Sequence, residues 1–445
     1  MENAMKRVAI VGAGPVGLAA AAHVLERGMV PIVLEAGPEV GHAVRQWGHV
    51  RMFSPWTYNV DRAAGQLLDK AGWNRPDGDA YPSGGDLVDQ YLAPLAKRTP
   101  LVDHIHTGTN VVAIARAGFD KVKTAGRDKA PFELHVVNGR DAVVTADAVI
   151  DASGTWFSPN PAGANGLPAK GERENANRIA YGMPAVARYA GMTVAVLGAG
   201  HSAIGTLIEL ARLPGTRPIW LLRVDRPEKA FGGGANDKLI ERGALGTLFG
   251  GLVRSGKVAV ETSFRVQAIE RAGEQLRIAS GSCCERRSVL VDELVVATGL
   301  RPDHSFLREL RLALDPALEC PPALAPLIDP NLHSCGTVRP HGARELAQPE
   351  PGLYLAGMKS YGRAPTFLMI TGYEQVRSIV ADIAGDREAA QRVELVLPET
   401  GVCSGPGPAT AKQECCGGSP SNTDAGCCRA DETTKAEGKS GCGCG

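Results

Sequence analysis

The chain has few aromatic residues, no net charge and no long apolar run, and each of these absences excludes a class of protein. Aromatic residues make up 5% of the 445 residues while glycines number 54, which favours many tight turns between strands and helices over an aromatic-rich β-sandwich. The 48 basic residues balance 48 acidic ones, so electrostatics give no reason to expect nucleic acid or an anionic membrane as partner. The sequence contains no uninterrupted stretch of about 20 apolar residues, so no transmembrane helix is predicted.

The start of the chain does not have the pattern of a secretory signal. Its first apolar run, Val8–Val11, leads directly into a glycine-rich turn without a small-residue cleavage site. We therefore expect a cytoplasmic protein, in a compartment where thiols are mostly reduced. The length exceeds that of one compact core, so two or three domains are expected.

A glycine fingerprint lies near the start of the chain, between a predicted buried strand and a predicted apolar helix. Gly12, Gly14 and Gly17 have the G-x-G-x-x-G spacing of a dinucleotide-binding turn. Gly12 permits the tight turn, Gly14 lets the backbone approach a pyrophosphate, and Gly17 lets the helix pack closely on the strand. Glu35 ends the next predicted strand, where its carboxylate can accept hydrogen bonds from ribose hydroxyls. Together these features predict a nucleotide site rather than an ordinary glycine turn.

The same pattern recurs in the middle of the chain, where Gly198, Gly200 and Ala203 repeat the spacing with alanine in the third place. Here the second strand is followed by Arg223 instead of ending in a carboxylate. A guanidinium at that place suits a 2′-phosphate through a bidentate contact, which favours NADPH over NADH. The alternative for Arg223 is a surface salt bridge.

Two such repeats in one chain imply two nucleotide-binding domains and an α/β fold. The run 110–150 is predicted to form a small antiparallel sheet, and 159–184, rich in Gly, Pro and Asn, is predicted to be a linker. A capping box of Ser83 and Asp86 marks the start of one helix. Strands are predicted at 6–11, 31–34, 110–114, 132–137, 143–150, 192–197, 218–222, 289–297 and 352–357, and helices at 16–26, 83–97, 203–213 and 366–384.

The chain resembles the flavoproteins that carry two dinucleotide-binding domains, and among them it is similar to flavin-containing monooxygenases. The resemblance covers residues 6–385. It rests on the two fingerprints, on Ala152-Ser153-Gly154 and Ala297-Thr298-Gly299 at the ends of the two halves, and on the phrase TWFSPNP at 155–161.

The resemblance implies FAD on the first fingerprint and NADPH on the second. It divides the chain into a Rossmann-like FAD-binding domain at 1–157 and 300–398 and an inserted Rossmann-like NADPH-binding domain at 158–299. Three features depart from the related families. The monooxygenase signature F-x-G-x-x-x-H is replaced by Lys170-Gly171-Glu172-Arg173, no Cys-x-x-Cys of the thioredoxin reductases lies near either fingerprint, and the late flavin motif ends Gly357-Met358 instead of Gly-Asp.

The segment 45–56 is expected to run along the flavin ring, because it concentrates planar and cationic side chains. Trp47 and Phe53 are predicted to pack on the ring, while His49 and Arg51 are predicted to donate to its carbonyls or to act on its oxygen chemistry. The alternative is that these aromatic residues, with Trp56, belong to the core.

A second flavin contact is expected where the last long helix begins. Pro365 suits the first turn of that helix, whose positive end would face the flavin pyrimidine. Thr366 is predicted to hydrogen-bond the ring and Arg363 to position substrate; the alternative is a capped core helix. The predicted catalytic residues are His49, Arg51 and Arg363. The predicted cofactor-binding residues are Gly12, Gly14, Pro15, Val16, Gly17, Glu35, Ala36, Trp47, Phe53, Val112, Ala152, Gly154, Gly198, Gly200, His201, Ser202, Ala203, Arg223, Thr298, Gly299, Gly357 and Thr366.

Residues 399–445 hold seven of the eleven cysteines and no aromatic residue, so they are predicted to be a disordered Cys-rich tail. Adjacent cysteine pairs do not match zinc-finger spacing but suit thiophilic ions such as trivalent arsenic, mercury, copper(I) or zinc. The tail resembles those of metal(loid)-detoxification flavoproteins, including arsenic-associated monooxygenases. The alternative is a thiol-rich appendage that only buffers. The predicted metal ligands are Cys415, Cys416, Cys427, Cys428, Cys442 and Cys444, and Cys283-Cys284 is a further pair.

These features predict a two-stage reaction in which NADPH reduces FAD and dioxygen then supplies one oxygen to a soft nucleophile: sulfur, nitrogen or trivalent arsenic. The cofactor carries such chemistry, which fits the lack of any paired-carboxylate or Ser/His/Asp arrangement in the sequence. Two alternatives stay open. One is an NADPH-dependent disulfide or metal(loid) reductase that uses the tail thiols, and the other is a metal-binding protein on a degenerate flavoprotein scaffold. The sequence also leaves a homodimer open.

Overall fold

The chain, described by a computed structural model over residues 5–231, 240–281, 287–332, 338–365 and 367–395, contains two five-stranded parallel sheets, each accompanied by a three-stranded antiparallel sheet. The strands are β1 (Arg7–Val11), β2 (Val30–Leu34), β3 (Ile105–His106), β4 (Asn110–Arg116), β5 (Phe132–Val137), β6 (Asp141–Ala146), β7 (Ala148–Asp151), β8 (Ile179–Tyr181), β9 (Thr193–Leu197), β10 (Arg217–Leu221), β11 (Ala259–Glu261), β12 (Val266–Ala272), β13 (Gln275–Ser280), β14 (Arg287–Val291), β15 (Glu293–Val296) and β16 (Leu353–Leu355).

The α-helices are α1 (Pro15–Glu26), α2 (His42–Gln46), α3 (Arg62–Lys70), α4 (Gly84–Leu87), α5 (Ala93–Arg98), α6 (His201–Arg212), α7 (Ile240–Arg254), α8 (Ala325–Ile328), α9 (Ala343–Leu346), α10 (Met369–Ala384) and α11 (Arg387–Gln391). Over the part of the chain that the structure describes, no helix combines the length and apolarity needed to cross a bilayer.

The first parallel sheet has the strand order β16-β7-β1-β2-β3. Its central strand β1 is buried at four of five positions, as expected for a strand covered on both faces. Helices α1 and α10 pack together beside it, and the alanine-rich run of α1 is buried in the same core cluster. Because β16 follows all strands of the second sheet in the sequence, the second sheet is inserted between β7 and β16 of the first.

The second parallel sheet has the order β11-β10-β9-β15-β8, and every one of its strands falls between β7 and β16 in the sequence. This arrangement confirms the predicted α/β fold class, in which one Rossmann-like unit is inserted into another. The small sheets β4-β5-β6 and β12-β13-β14 occupy equivalent places, each just before the strand that returns to its parallel sheet.

The single strand predicted at 143–150 was wrong, because the structure divides it into β6 and β7. Asp147 lies between them, and its amide donates to the Arg7 carbonyl at 2.8 Å while its carboxylate accepts from the Arg7 amide at 2.7 Å. The chain therefore leaves the antiparallel sheet and enters the parallel one at this residue.

The single strand predicted at 289–297 was wrong for the same reason. Asp292 divides it into β14 and β15, and it exchanges two hydrogen bonds with Thr193 at 2.8 and 2.7 Å. The same junction thus occurs in both halves of the molecule.

Two further expectations need correction. The predicted linker at 159–184 contains β8, which pairs in parallel with β15 and forms an edge of the second sheet. Because β8 has only three residues, its sequence is too short to show the alternation of apolar and polar residues that indicates a strand. The last long helix begins at Met369, not at 366, because Leu368 has an extended backbone with φ −114° and ψ 142°. Pro365 is therefore outside that helix, and Thr366 lies outside the described residues.

The helix predicted at 83–97 is present as α4, a π-helical turn at Val88–Leu92 and α5 in succession. Its capping box is confirmed. The Ser83 hydroxyl accepts from the Asp86 amide at 3.1 Å, and the Asp86 carboxylate accepts from the Ser83 amide at 2.9 Å.

Candidate functional site

The loop between β1 and α1 leaves open space at one of its three fingerprint glycines. Gly12 has φ +100°, and a Cβ there would lie 2.8 Å from the Ala152 carbonyl oxygen. A Cβ on Gly17 would lie 1.9 Å from the Gly12 oxygen, whereas one on Gly14 would meet nothing within 4 Å. Helix α1 begins at Pro15, and no side chain caps its amides. The backbone is therefore accessible at Gly14, where the positive end of α1 can receive a pyrophosphate.

Glu35 lies beside this loop at the end of β2. Its two carboxylate oxygens accept from the Ala13 and Gly37 amides, each at 2.7 Å, so the carboxylate is fixed and keeps further acceptor capacity for ribose hydroxyls. Ala36 next to it is exposed. Val112 is 46% exposed at a bulge in β4. The residues that lead into β4 run alongside Glu35.

Gly357, far away in sequence, contacts the same helix start. It has φ +65°, and a Cβ there would come within 3.2 Å of the Val16 side chain. Its amide donates to the Gln375 side chain of α10 at 2.7 Å. Ala152 pairs with Val11, and Gly154, at φ +72°, has open space around it. The structure therefore brings Ala152 and Gly357 to the first fingerprint, to which Val16 belongs.

The second loop repeats this geometry between β9 and α6. A Cβ on Gly198 would lie 2.2 Å from the Ala297 oxygen, and one on Gly200 would meet nothing within 4 Å. Ala203 is fully buried where the first loop has its third glycine. His201 and Ser202 form the first turn of α6, which again has no side-chain cap.

Thr298 and Gly299 follow β15 beside this loop and are held by the connection between the two sheets. The Asn160 side chain donates to the Thr298 carbonyl at 3.0 Å, and the Gly299 carbonyl accepts from the Asn160 amide at 3.0 Å. Asn160 also accepts from Arg301 at 2.8 Å. Sequence reasoning missed Asn160 and Arg301, although Asn160 belongs to the TWFSPNP phrase.

An open cavity of about 770 Å³ lies next to the carboxyl ends of β10 and β11 and contains Arg223. Among the described residues, the Arg223 guanidinium makes one long hydrogen bond, 3.4 Å to the Ala164 oxygen. Arg265 also lines this cavity, and sequence reasoning missed it because it follows a later strand. Two guanidinium groups in one open cavity suit a phosphate group.

The 45–56 segment contacts the start of α6 through side chains. The rings of Phe53 and His201 lie with centroids 5.3 Å apart at an interplanar angle of 63°. A second contact stacks Phe157 on His42, with centroids 5.8 Å apart. The segment expected along the flavin therefore touches the helix start expected to hold the nicotinamide nucleotide.

The other members of the 45–56 segment have different surroundings. Trp47 is half-buried, and its ring covers Gly84, where a Cβ would lie 2.7 Å from ring atoms; Trp56 is 4% exposed in the core. Both therefore have the surroundings that the core alternative predicted. His49 and Arg51 are exposed.

The predicted catalytic residues are not joined to one another. Arg363 forms an ion pair with Glu319 at 2.9 Å, which occupies its guanidinium. Within the described ranges, no hydrogen bond or ion pair links any two of His49, Arg51 and Arg363.

Cys320 is the one cysteine within the described residues. Burial raises the pKa of its thiol to about 12, so it is a poor nucleophile. No group of three His, Cys, Asp or Glu residues suited to a metal ion occurs in the described part of the chain. Cys283, Cys284 and the six predicted metal ligands of the tail, Cys415, Cys416, Cys427, Cys428, Cys442 and Cys444, lie outside it.

Residues 9–321 match the profile of the pyridine nucleotide-disulphide oxidoreductase family. Among curated proteins, the chain is 28% identical over 211 residues to a ferredoxin–NADP reductase of Oenococcus oeni, over 47% of this chain and 50% of that protein. It is 25% identical over 327 residues to the Lactobacillus helveticus ferredoxin–NADP reductase, over 70% of this chain and 83% of that protein. The chain thus spans half the length of the first of these relatives.

Two solved structures share the fold at low sequence identity. The bacillithiol disulfide reductase of Bacillus cereus superposes with a TM-score of 0.64 at 19% identity, over 86% of this chain and 99% of that one. A flavin monooxygenase mutant from Stenotrophomonas maltophilia superposes with a TM-score of 0.54 at 19% identity, over 86% and 98%. The family match confirms the predicted flavin-dependent oxidoreductase, with FAD and NADP(H) as its cofactors.

Proposed function

The chain belongs to the pyridine nucleotide-disulphide oxidoreductase family, and from this premise we propose that NADPH bound at the second fingerprint reduces FAD bound at the first. The observation that carries the proposal is the contact between Phe53 and His201, whose rings lie 5.3 Å apart. It brings the start of the second fingerprint helix next to the segment expected along the flavin. Hydride transfer requires such proximity, because the reacting atoms must come within about 3–3.5 Å.

The residues of each loop fit the group assigned to it. Gly14 and Gly200 leave space where a side chain would otherwise lie, and uncapped helix ends follow both. Glu35 is held ready to accept from ribose hydroxyls, and Arg223 with Arg265 presents two cations to a 2′-phosphate. FAD, when bound, supplies the two-electron redox chemistry, while the chain binds, orients and excludes water.

For the second stage we propose transfer of one oxygen atom from dioxygen to a soft nucleophile, with sulfur, nitrogen and trivalent arsenic as the candidate acceptors. The other oxygen atom would leave as water, and the two electrons that this requires would come from NADPH. The state of Cys320 supports this over a thiol relay within the described residues, since its thiol is buried and its pKa is raised to about 12. Sharing a fold with a flavin monooxygenase is compatible with the proposal, although the fold is also that of a disulfide reductase.

The deciding experiment follows NADPH oxidation by the purified flavoprotein with and without dioxygen across thiols, amines and arsenite. The proposal expects oxidation that depends on both dioxygen and acceptor and yields oxygenated product. Acceptor-dependent oxidation under strict anaerobiosis would instead establish a reductase, and a protein without flavin absorbance near 450 nm would support the metal-binding alternative.

We also propose that the tail thiols capture a thiophilic metal(loid) through Cys415, Cys416, Cys427, Cys428, Cys442 and Cys444. Arsenite titration of the full chain, compared with a variant in which these six are serine, tests it. A matched control replaces Cys283 and Cys284 by serine. Equal arsenite stoichiometry in the six-serine variant and the unaltered chain would refute capture by the tail.

A further inference from the structure

Two connections join the parallel sheets, and they run against each other. The outgoing connection leaves β7 at Asp151, and the returning one leaves β15 and continues through Asp303. They pair as a short antiparallel bridge between Pro159 and Leu300. The Ser158 carbonyl accepts from the Arg301 amide there at 2.9 Å. Any rotation of one sheet relative to the other must deform both connections.

Lys359 bonds both connections with one amine. It belongs to the 3₁₀ segment Gly357–Tyr361, directly after β16. Its Nζ donates to the Ser153 hydroxyl of the outgoing connection at 3.0 Å and to the Asp303 carbonyl of the returning one. Its charge pairs with the Asp151 carboxylate at 3.1 Å. A single side chain from the first sheet therefore fixes the start of one connection and the end of the other.

Because the ion pair of Lys359 and Asp151 is buried, we argue that it serves to hold the connections in place rather than to stabilise the fold. The side chains of Lys359 and Asp151 are 1% and 0% exposed. Desolvating two charges offsets most of their attraction, and apolar residues of similar size would stabilise the fold equally well. Directional bonds, in contrast, hold backbone segments in one arrangement, which apolar packing does not.

Among the described residues, Asp151 is the carboxylate within ion-pair distance of the amine. The ring of Phe306 lies 4.9 Å from Nζ. Burial, and then the Lys359 charge, lower the pKa of His304 below its ordinary value. Asp151 also fixes the outgoing connection directly, since one of its oxygens accepts from the Ser153 amide and hydroxyl at 3.0 and 2.6 Å.

We propose that Lys359 is a positioning residue that sets the orientation of the second sheet relative to the first, and through it the alignment of the nicotinamide with the flavin. The alignment part rests on the hydride transfer proposed above. The orientation part does not, because it concerns the connections alone.

The test compares three full-length variants in small-angle X-ray scattering and in anaerobic reduction of the bound flavin by saturating NADPH. Lys359→Met removes the amine. Because that variant leaves Asp151 buried and unpaired, the second variant combines it with Asp151→Asn, which removes both charges and retains an acceptor for Ser153. The control is Lys121→Met, which deletes another lysine-to-carbonyl bond, 2.9 Å to Arg308, and leaves the bonds of Lys359 in place.

The double variant is expected to retain FAD and NADPH affinity, to change the scattering profile, and to reduce flavin about ten- to a hundredfold more slowly, with a weaker long-wavelength charge-transfer band. The control should match the unaltered protein in all five measurements. A double variant with unchanged scattering and an unchanged rate per bound flavin would overturn the proposal, whatever its melting temperature. If NADPH fails to reduce the unaltered flavoprotein, hydride transfer is refuted, while a changed scattering profile in the double variant would still support the orientation role.

Discussion

Replacing Gly14 by alanine is expected to weaken FAD binding while leaving the stability of the fold nearly unchanged. Gly14 has φ −77° and ψ −175°, a conformation that alanine adopts without strain, and its added Cβ would meet no protein atom within 4 Å. Alanine has less conformational freedom than glycine in the unfolded chain, so the substitution lowers the entropic cost of folding by about 0.4–1 kcal/mol. Losing glycine at a helix N-cap costs a comparable amount. We therefore expect the unfolding free energy of the apoprotein to change by less than about 1 kcal/mol.

The methyl group would fill the space through which the backbone is proposed to approach the pyrophosphate, so FAD affinity should fall at least about tenfold, or 1.4 kcal/mol. Isothermal titration of the apoprotein with FAD measures this, and thermal unfolding monitors the fold. Gly200→Ala is the matched variant, since its Cβ also has no neighbour within 4 Å; it should retain FAD and weaken NADPH. Gly17→Ala, whose Cβ would lie 1.9 Å from a carbonyl oxygen, should fail to fold.

The reasoning is refuted if Gly14→Ala binds FAD as tightly as the unaltered protein. It is equally refuted if Gly14→Ala weakens NADPH while Gly200→Ala weakens FAD, because the two loops would then hold the opposite cofactors.

Three further predictions concern charged groups. Arg223→Ala should raise KM for NADPH about tenfold or more while leaving KM for NADH nearly unchanged, since only NADPH carries the 2′-phosphate; equal increases would contradict the assignment. Glu350→Gln should lower the unfolding free energy by about 3–5 kcal/mol, measured by denaturant titration, because it leaves two buried guanidinium groups without their carboxylate, whereas Glu394→Gln on the surface should change it little. Burial opposes the charge on His23, but the Asp61 carboxylate raises its pKa from 6.5 to about 9, so this stabilisation should be complete below pH 6.5 and lost as pH rises through 9; thermal unfolding between pH 6 and 10 measures it, and His23→Gln should remove that pH dependence.

Local sequence was enough to predict the elements around both fingerprints. The spacing of Gly12, Gly14 and Gly17 predicted a turn in which the structure leaves no room for a side chain at Gly12 and Gly17 and open space at Gly14. The capping box at Ser83 also held, because its bonds join residues only three apart. Such features depend on neighbouring residues, so a single sequence contains them.

The errors arose where long-range contacts decide the structure. Nothing in the apolar alternation of 143–150 or 289–297 indicates that Asp147 and Asp292 transfer the chain from one sheet to another. Each aspartate does so by bonding the central strand of its parallel sheet, at sequence separations of 140 and 99 residues. Lys359 was missed for the same reason. Its partner Ser153 lies 206 positions away in the sequence, and its partner Asp151 lies further still.

The repetition of the aspartate junction bears on how the two halves work together. In each half the junction fixes the strand that ends at the connection between the sheets, β7 in the first and β15 in the second. These two strands deliver Asp151 and the segment leading to Asp303, the two points that Lys359 bonds. In the arrangement proposed above, the connections that follow these two strands meet at one amine, which sets the orientation of the sheets. A chain built in this way needs few contacts between its nucleotide sites, and the ring contact of Phe53 with His201 can then serve the approach of the cofactors instead of holding the units together.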